Sequence, residues 1–323
     1  MPDPFEDNND EVNPVLKNYL AIARPGHWFK NIFMLPGIVI ALALTHRQPS
    51  TSMSIQIALA VISTCLLASA NYTINEWLDA KTDLHHPQKK HRPSVAGTVS
   101  APFVYVQWLA CVVAGLAIAY QLNRLFFGTA IFFLVMGLIY NVPPLRAKDR
   151  PYLDVLCEAI NNPIRLVLGW CAIVDNVIPP SSILTAYWMG GAFLMAVKRY
   201  SEFRFIDNPL QAGLYRKSFI YYDEKTLLLS AFFYALTASF LLGVFLIKYR
   251  VEFVLAVPFV SILFVWYLYL GMASDSIAQA PEKLYQQKFF ITYVIFLSIL
   301  LGILAVIDIP SLEILLHPVT LKP

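Results

Sequence analysis

Charge is the scarcest property of this chain: 14% of its residues are Asp, Glu, Lys or Arg, against about 25% in soluble domains. With 58% hydrophobic residues beside it, that deficit argues against a water-soluble fold. The charges that are present nearly cancel, 24 basic against 21 acidic for a net of +3, and they are dispersed. Such a balance gives no basic footprint for nucleic acid, so DNA and RNA are excluded as partners. Cysteine is sparse too. Cys65, Cys111, Cys157 and Cys171 each sit in an apolar stretch without C-x-x-C spacing, which removes disulfide, zinc and iron–sulfur frameworks and leaves small buried hydrophobes. The first thirteen residues are acidic and lack the basic and apolar regions of a cleavable secretory signal. Residues 1–14 are expected to form a disordered, cytoplasmic acidic N-terminus, and 311–323 a C-terminal tail.

Long apolar stretches are what the chain has in abundance. Crossing about 30 Å of hydrocarbon takes roughly 20 mostly apolar residues as helix. Nine such stretches are predicted, over residues 29–45, 55–75, 102–122, 125–142, 152–174, 183–200, 227–247, 253–273 and 289–307. The expected class is an all-α integral membrane protein with nine transmembrane helices in a single domain, 15–310. If the N-terminus and the loops after the even-numbered spans share one side, that side holds 18 of the 24 Lys and Arg residues. The positive-inside bias then places it, and the N-terminus, in the cytoplasm. The longer, motif-bearing loops lie on the same side, which predicts an active site facing the cytoplasm from the inner or plasma membrane. Residues 15–23 have an amphipathic pattern suited to lying at the interface.

Ionisable groups inside a span cost several kcal/mol unless paired or facing a cavity, and three clusters meet that description. In the first, Asn71, Asn75, Asp79 and Asp83 recur every four residues on one helical face at the inner end of the second span. Like-charged carboxylates on one face repel unless a cation sits between them, and oxygen donors alone suit Mg²⁺ carrying a substrate phosphate. An isolated D-x-x-x-D more often marks a fraying helix end; the two asparagines deeper in the span shift the balance toward function. The loop that follows brings Lys89, Lys90 and Arg92. Positive-inside retention alone explains them, and a loop gripping diphosphate needs the same charges.

The second cluster is Asp154, Glu158, Asn161 and Arg165 in the fifth span, with Asn162 beside them, a stripe that either bonds to neighbouring helices or lines a polar cavity. Upstream, a turn through Pro143 and Pro144 presents Tyr140 and Lys148 to the same region. The third cluster closes the sixth span: Lys198 and Glu202 on one face, Arg199 beside them, then Arg216 and Lys217 in the loop. Retention of charge at the membrane edge accounts for it equally well.

Nine spans, an inside N-terminus and the run N75-E-x-x-D79-x-x-x-D83 resemble the UbiA superfamily of intramembrane prenyltransferases, whose first motif is N-D-x-x-D-x-x-x-D; here Glu76 stands at its second position. The chain is more closely similar to the decaprenyl-phosphate phosphoribosyltransferase branch. That likeness runs through R24-P-G-H-W-F-K30-N31, H86-P-x-K89-x-x-R92-P and K198-R199-x-x-E202, in the inner loops of the first two-thirds. Aromatic prenyltransferases of the superfamily carry a second Asp-rich motif after the sixth span, where this chain has Lys198, Arg199, Arg216 and Lys217.

The resemblance implies a UbiA-type fold and Mg²⁺ on Asp79 and Asp83 with Asn75. It also implies transfer of 5-phosphoribose from phosphoribosyl diphosphate to a polyprenyl phosphate. Arg92, Lys89 and Lys30 would supplement the charge on the leaving diphosphate, Lys198 and Arg199 would hold a second phosphate, and Asn31 and Asn71 would add polar contacts. The polar segment 161–165 leaves the acceptor lipid's identity open. The alternatives are an aromatic-acceptor polyprenyltransferase and, from another class, a secondary transporter. A homo-oligomer is compatible with the sequence.

Overall fold

In the computed structural model the described residues are 14–312 except 49, 87, 88, 207, 274, 275 and 280. Nearly all of the expected N-terminal segment and of the C-terminal tail thus lie outside the described residues. Within them the chain is all-helical, with no strand. A short helix α1 (Pro14–Ala23) leads through a 3₁₀ stretch (Pro25–Met34) into α2 (Leu35–Thr45). Then come α3 (Thr51–Asp83), α4 (Ala101–Leu122), α5 (Arg124–Asn141), α6 (Leu153–Ala159), α7 (Asn161–Cys171), α8 (Ser181–Ile206) and α9 (Pro209–Tyr215). The last three are α10 (Glu224–Tyr249), α11 (Val257–Met272) and α12 (Lys288–Leu304).

Among the described residues, six segments are long and apolar enough to cross a membrane: Val15–Thr45, Thr51–Asp83, Ala101–Leu122, Arg124–Asn141, Glu224–Tyr249 and Val251–Met272. The other three expected spans fall on α6 with α7, on α8 and on α12. Lys288–Leu304 is a shorter apolar helix, and the other two carry ionisable residues that dilute their hydropathy. The fifth expected span is not one straight helix. It is interrupted at Ile160, because Pro163 has no N–H to donate back to the Ala159 carbonyl.

Two apolar clusters hold the helices together. The first joins α2, α3, α5 and α7 through Leu67, Phe126, Phe133, Ile164, Leu168 and Trp170. The second joins α8 to α10, α11 and α12 through Phe193, Val197, Tyr234, Tyr267 and Phe290. Small residues set the closest approaches, as expected where helices associate by packing more than by water exclusion. Ala192 and Ala196 of α8 are buried, as are Ala231 and Ala238 of α10, and α8 lies along α10 for much of its length. At the α2–α7 crossing the glycines are reciprocal: a methyl on Gly37 would overlap the Leu166 carbonyl, and one on Gly169 the Met34 carbonyl. That crossing carries α7, and with it one wall of the cavity described next.

Candidate active site

The last three turns of α3 project Asn71, Asn75, Asp79 and Asp83 into a cavity of about 490 Å³. The helical period places them there: residues four apart lie one above another on a face. Of the remaining sequence candidates, Lys30, Lys89, Arg92, Tyr140, Lys148, Glu158, Asn161, Asn162, Arg165, Lys198, Arg199 and Glu202 line the same cavity. One chamber therefore collects residues from α3, α5, α7, α8 and the connections between them.

Two candidates stand behind its wall instead. Asn31 is buried, donating to the Cys65 Sγ at 3.1 Å and accepting from Arg165 Nε at 2.9 Å. Asp154 is wholly buried and accepts from Ser218 Oγ at 3.0 Å and Tyr222 Oη at 2.8 Å. Asp154 lies in the first turn of α6, one turn before Glu158, and there the Ser218 and Tyr222 side chains of the α8–α10 connection close over it. Lys217 also points away, 69% exposed and near Asp149 at 3.8 Å.

Each α3 acid has cations of its own. Asp79 Oδ1 accepts from Lys148 Nζ at 2.5 Å and Arg146 Nη2 at 3.1 Å, while its Oδ2 accepts from Asn75 at 3.2 Å. Asp83 accepts from Arg92 at 2.5 Å. Asn141, which the sequence reading passed over, ties this corner together: its Oδ1 takes Lys148 at 2.8 Å and Asn75 at 2.5 Å. Burial pushes the Lys148 ammonium down to about 8, with Asp79 pulling it back up. His86, packed on the Tyr215 ring, is lowered to about 4 by burial and by the nearby Lys89. A neutral imidazole follows at neutral pH.

The facing wall is arranged differently. Arg199, 1% exposed, reaches Glu202 at 2.7 Å, Glu158 at 2.8 Å and Asp154 at 3.4 Å. Its guanidinium is thus shared among three carboxylates while it also lines the cavity. Lys198 carries no hydrogen bond or ion pair among the described residues. Lys89 spans the mouth, bonded to Tyr215 Oη and 3.6 Å from Glu202.

Sequence reasoning also missed Arg24 and Arg146 as cavity residues. Both have left-handed backbones, φ 50° and φ 28°, a conformation that costs a non-glycine residue roughly 1–3 kcal/mol. Each is held by an α3 acid, Arg24 by Glu76 at 2.6 Å and Arg146 by Asp79. Glu76, at the position where the motif of the resemblance has Asp, is 2% exposed and does not line the cavity. The extra methylene lets it reach Arg24 from the buried face of α3. No sequence signal pointed to that pairing.

Among the described residues no three His, Cys, Asp or Glu side chains group as a metal cage. The donor set nonetheless fits Mg²⁺, which takes one or two carboxylates and completes its shell with water and substrate phosphates. Asp79 and Asp83 both open on the chamber, and the cations on them are partners that a phosphate-bearing ligand would share.

Among the described residues, then, an all-helical chain encloses a polar chamber with an acid pair on one wall and cations around it. Residues 33–300 match the UbiA prenyltransferase family, and the chain belongs to it. A decaprenyl-phosphate phosphoribosyltransferase of Mycolicibacterium smegmatis is 27% identical over 191 residues, 58% of each chain. Its Mycobacterium tuberculosis counterpart is 29% identical over 180 residues, 55% of this chain and 58% of the other. This chain thus spans under two-thirds of the length of these two relatives. A lycopene elongase/hydratase of Haloarcula japonica is 25% identical over 71% of this chain and 78% of its own. Among solved structures, a UbiA homologue from Archaeoglobus fulgidus bound to GPP and Mg²⁺ superposes with a TM-score of 0.65 at 22% identity. It covers 87% of this chain and 99% of that one, a likeness of fold.

Proposed function

We propose that this chain transfers the 5-phosphoribosyl group from phosphoribosyl diphosphate to a polyprenyl phosphate, releasing diphosphate. The reaction takes place at the cytoplasmic face of a nine-span membrane domain. The observation that carries this reading is the asymmetry of the two walls. Asp79 and Asp83 form one acid pair, each acid held by its own loop-borne cations, while Glu158 and Glu202 opposite them share Arg199. A second acidic metal grip, as a prenyl diphosphate donor would want, would have to draw on the two carboxylates already bonded to Arg199, and Lys198 and Arg216 line the cavity beside them.

In the transfer, the bond from the anomeric carbon to the diphosphate oxygen breaks and one to the acceptor phosphate oxygen forms. The nucleophile is already anionic, so no strong general base is required, and the residues act mainly by alignment and charge. Asp79 and Asp83 would hold Mg²⁺, with Asn75 orienting Asp79. Bound there, the metal supplies charge neutralisation for the leaving diphosphate. Arg92, Arg146 and Lys148, already seated on the two acids, lie where they can donate to phosphoryl oxygens as well. Asn141 keeps Lys148 from swinging out.

Membranes containing the protein, incubated with radiolabelled phosphoribosyl diphosphate, should yield label in the lipid extract. Prenylation of an aromatic acid with no use of phosphoribosyl diphosphate would replace this reading by the aromatic-acceptor one. For orientation, a cysteine placed at exposed Lys217 should react with a membrane-impermeant thiol reagent only from the cytoplasmic side.

A further inference from the structure

The cavity holds positive charge that the acids of the site leave unbalanced. Arg165 of α7 is 5% exposed, yet its hydrogen bonds go to neutral acceptors: Nε to Asn31 Oδ1 at 2.9 Å and Nη1 to the Asn161 carbonyl at 3.2 Å. The Phe133 ring lies 5.0 Å from the guanidinium carbon. Arg165 forms no ion pair with Asp or Glu among the described residues. Glu158, the acid whose charge bears on it, is already bonded to Tyr140 at 2.7 Å and to Arg199 at 2.8 Å. Lys198 shares the cavity and is in the same condition, since Glu158 and Glu202, which attract it, are both engaged by Arg199. A buried cation at membrane depth with only neutral bonding partners is costly, and an anionic ligand removes that cost.

What kind of anion belongs there follows from the surrounding wall. Phe29, Phe33, Phe133 and Leu194 face the cavity too. They offer no partner to the hydroxyl groups of a sugar and suit a hydrocarbon chain. We infer that Arg165 and Lys198 hold the phosphate of the lipid acceptor, leaving the Asp79–Asp83 end to the diphosphate of the sugar donor. This assignment rests on the function proposed above. A phosphate monoester also occurs in that donor, at its 5-position, so the experiment has to separate the two sources.

Purified full-length protein in nanodiscs is titrated with decaprenyl phosphate, with decaprenol and, separately, with phosphoribosyl diphosphate and Mg²⁺, reading tryptophan fluorescence. The wild type should bind decaprenyl phosphate at least about ten-fold more tightly than decaprenol, the equivalent of one charged hydrogen bond. Arg165→Gln and Lys198→Gln should each shrink that gap while leaving the donor's affinity within about two-fold. Lys198 makes no hydrogen bond in the structure, so its variant isolates binding from folding should Arg165→Gln be unstable. Absence of the gap in the wild type overturns the assignment. So does its persistence in Lys198→Gln, or a loss that falls on phosphoribosyl diphosphate. If the gap and its dependence on Lys198 are present but no label passes from phosphoribosyl diphosphate to lipid, the lipid-phosphate site stands and the donor reading fails.

Discussion

The two walls of the cavity use acids in opposite ways. On α3 two carboxylates have three loop-borne cations between them, Lys148 and Arg146 on Asp79 and Arg92 on Asp83. On the α6–α8 side three carboxylates converge on Arg199. Where cations outnumber acids, a phosphate can be accommodated by sharing them, because each partner has donors left over. Where one guanidinium bridges three carboxylates from two helices, the cluster acts as a brace between them. The same residue types thus form separate acid–cation pairs on one wall and a bridged cluster on the other.

The comparison breaks most sharply at the acid pair. Asp79→Asn and Asp83→Asn should each lower phosphoribosyl transfer by roughly three orders of magnitude with little change in melting temperature, and EDTA should abolish activity that Mg²⁺ restores. Transfer within about ten-fold of wild type in either variant would take that residue out of the reaction. Next in size is the brace. Arg199→Met removes the cation that three carboxylates share, and loss of one partner from a buried ion pair costs about 3–5 kcal/mol; a clear fall in the detergent melting temperature is expected. An unchanged melting temperature with a raised KM would move Arg199 to the substrate side of the ledger.

A smaller effect sharpens the role of the scaffold. Gly169→Val forces α7 away from the Met34 carbonyl and should cost about 1–3 kcal/mol by overpacking, measured by thermal or denaturant unfolding. The smallest concerns Glu76. Glu76→Asp shortens the reach to Arg24 and should cost about 1 kcal/mol of stability while activity stays within about two-fold. A hundred-fold fall in kcat would instead place Glu76 in the chemistry.

Much of the candidate site was legible because its signals are local. Asn71, Asn75, Asp79 and Asp83 share a face by helical period alone, and polar residues in an apolar span announce a cavity. Arg24, Arg146 and Asn141 were not legible: two depend on backbone conformations that only the surrounding contacts sustain, and the third on a side chain reached from two elements. Asp154 fitted the stripe in sequence, yet one turn before Glu158 on the same helix it is enclosed by Ser218 and Tyr222 of the α8–α10 connection, a contact that helical period does not reveal. Glu158 and Arg165, on either side of the interruption at Ile160, still face the chamber.

The sequence by itself determined that this chain belongs in a membrane and which face of α3 bears its acids, because hydropathy and helical period are properties of neighbouring residues. Tertiary structure alone decided how the charges pair. Arg199 is shared by three acids, while Arg165 and Lys198 form no ion pair among the described residues. That division depends on helix crossings and loop paths which bring together residues as distant as Asp79 and Lys148 or Asn31 and Arg165.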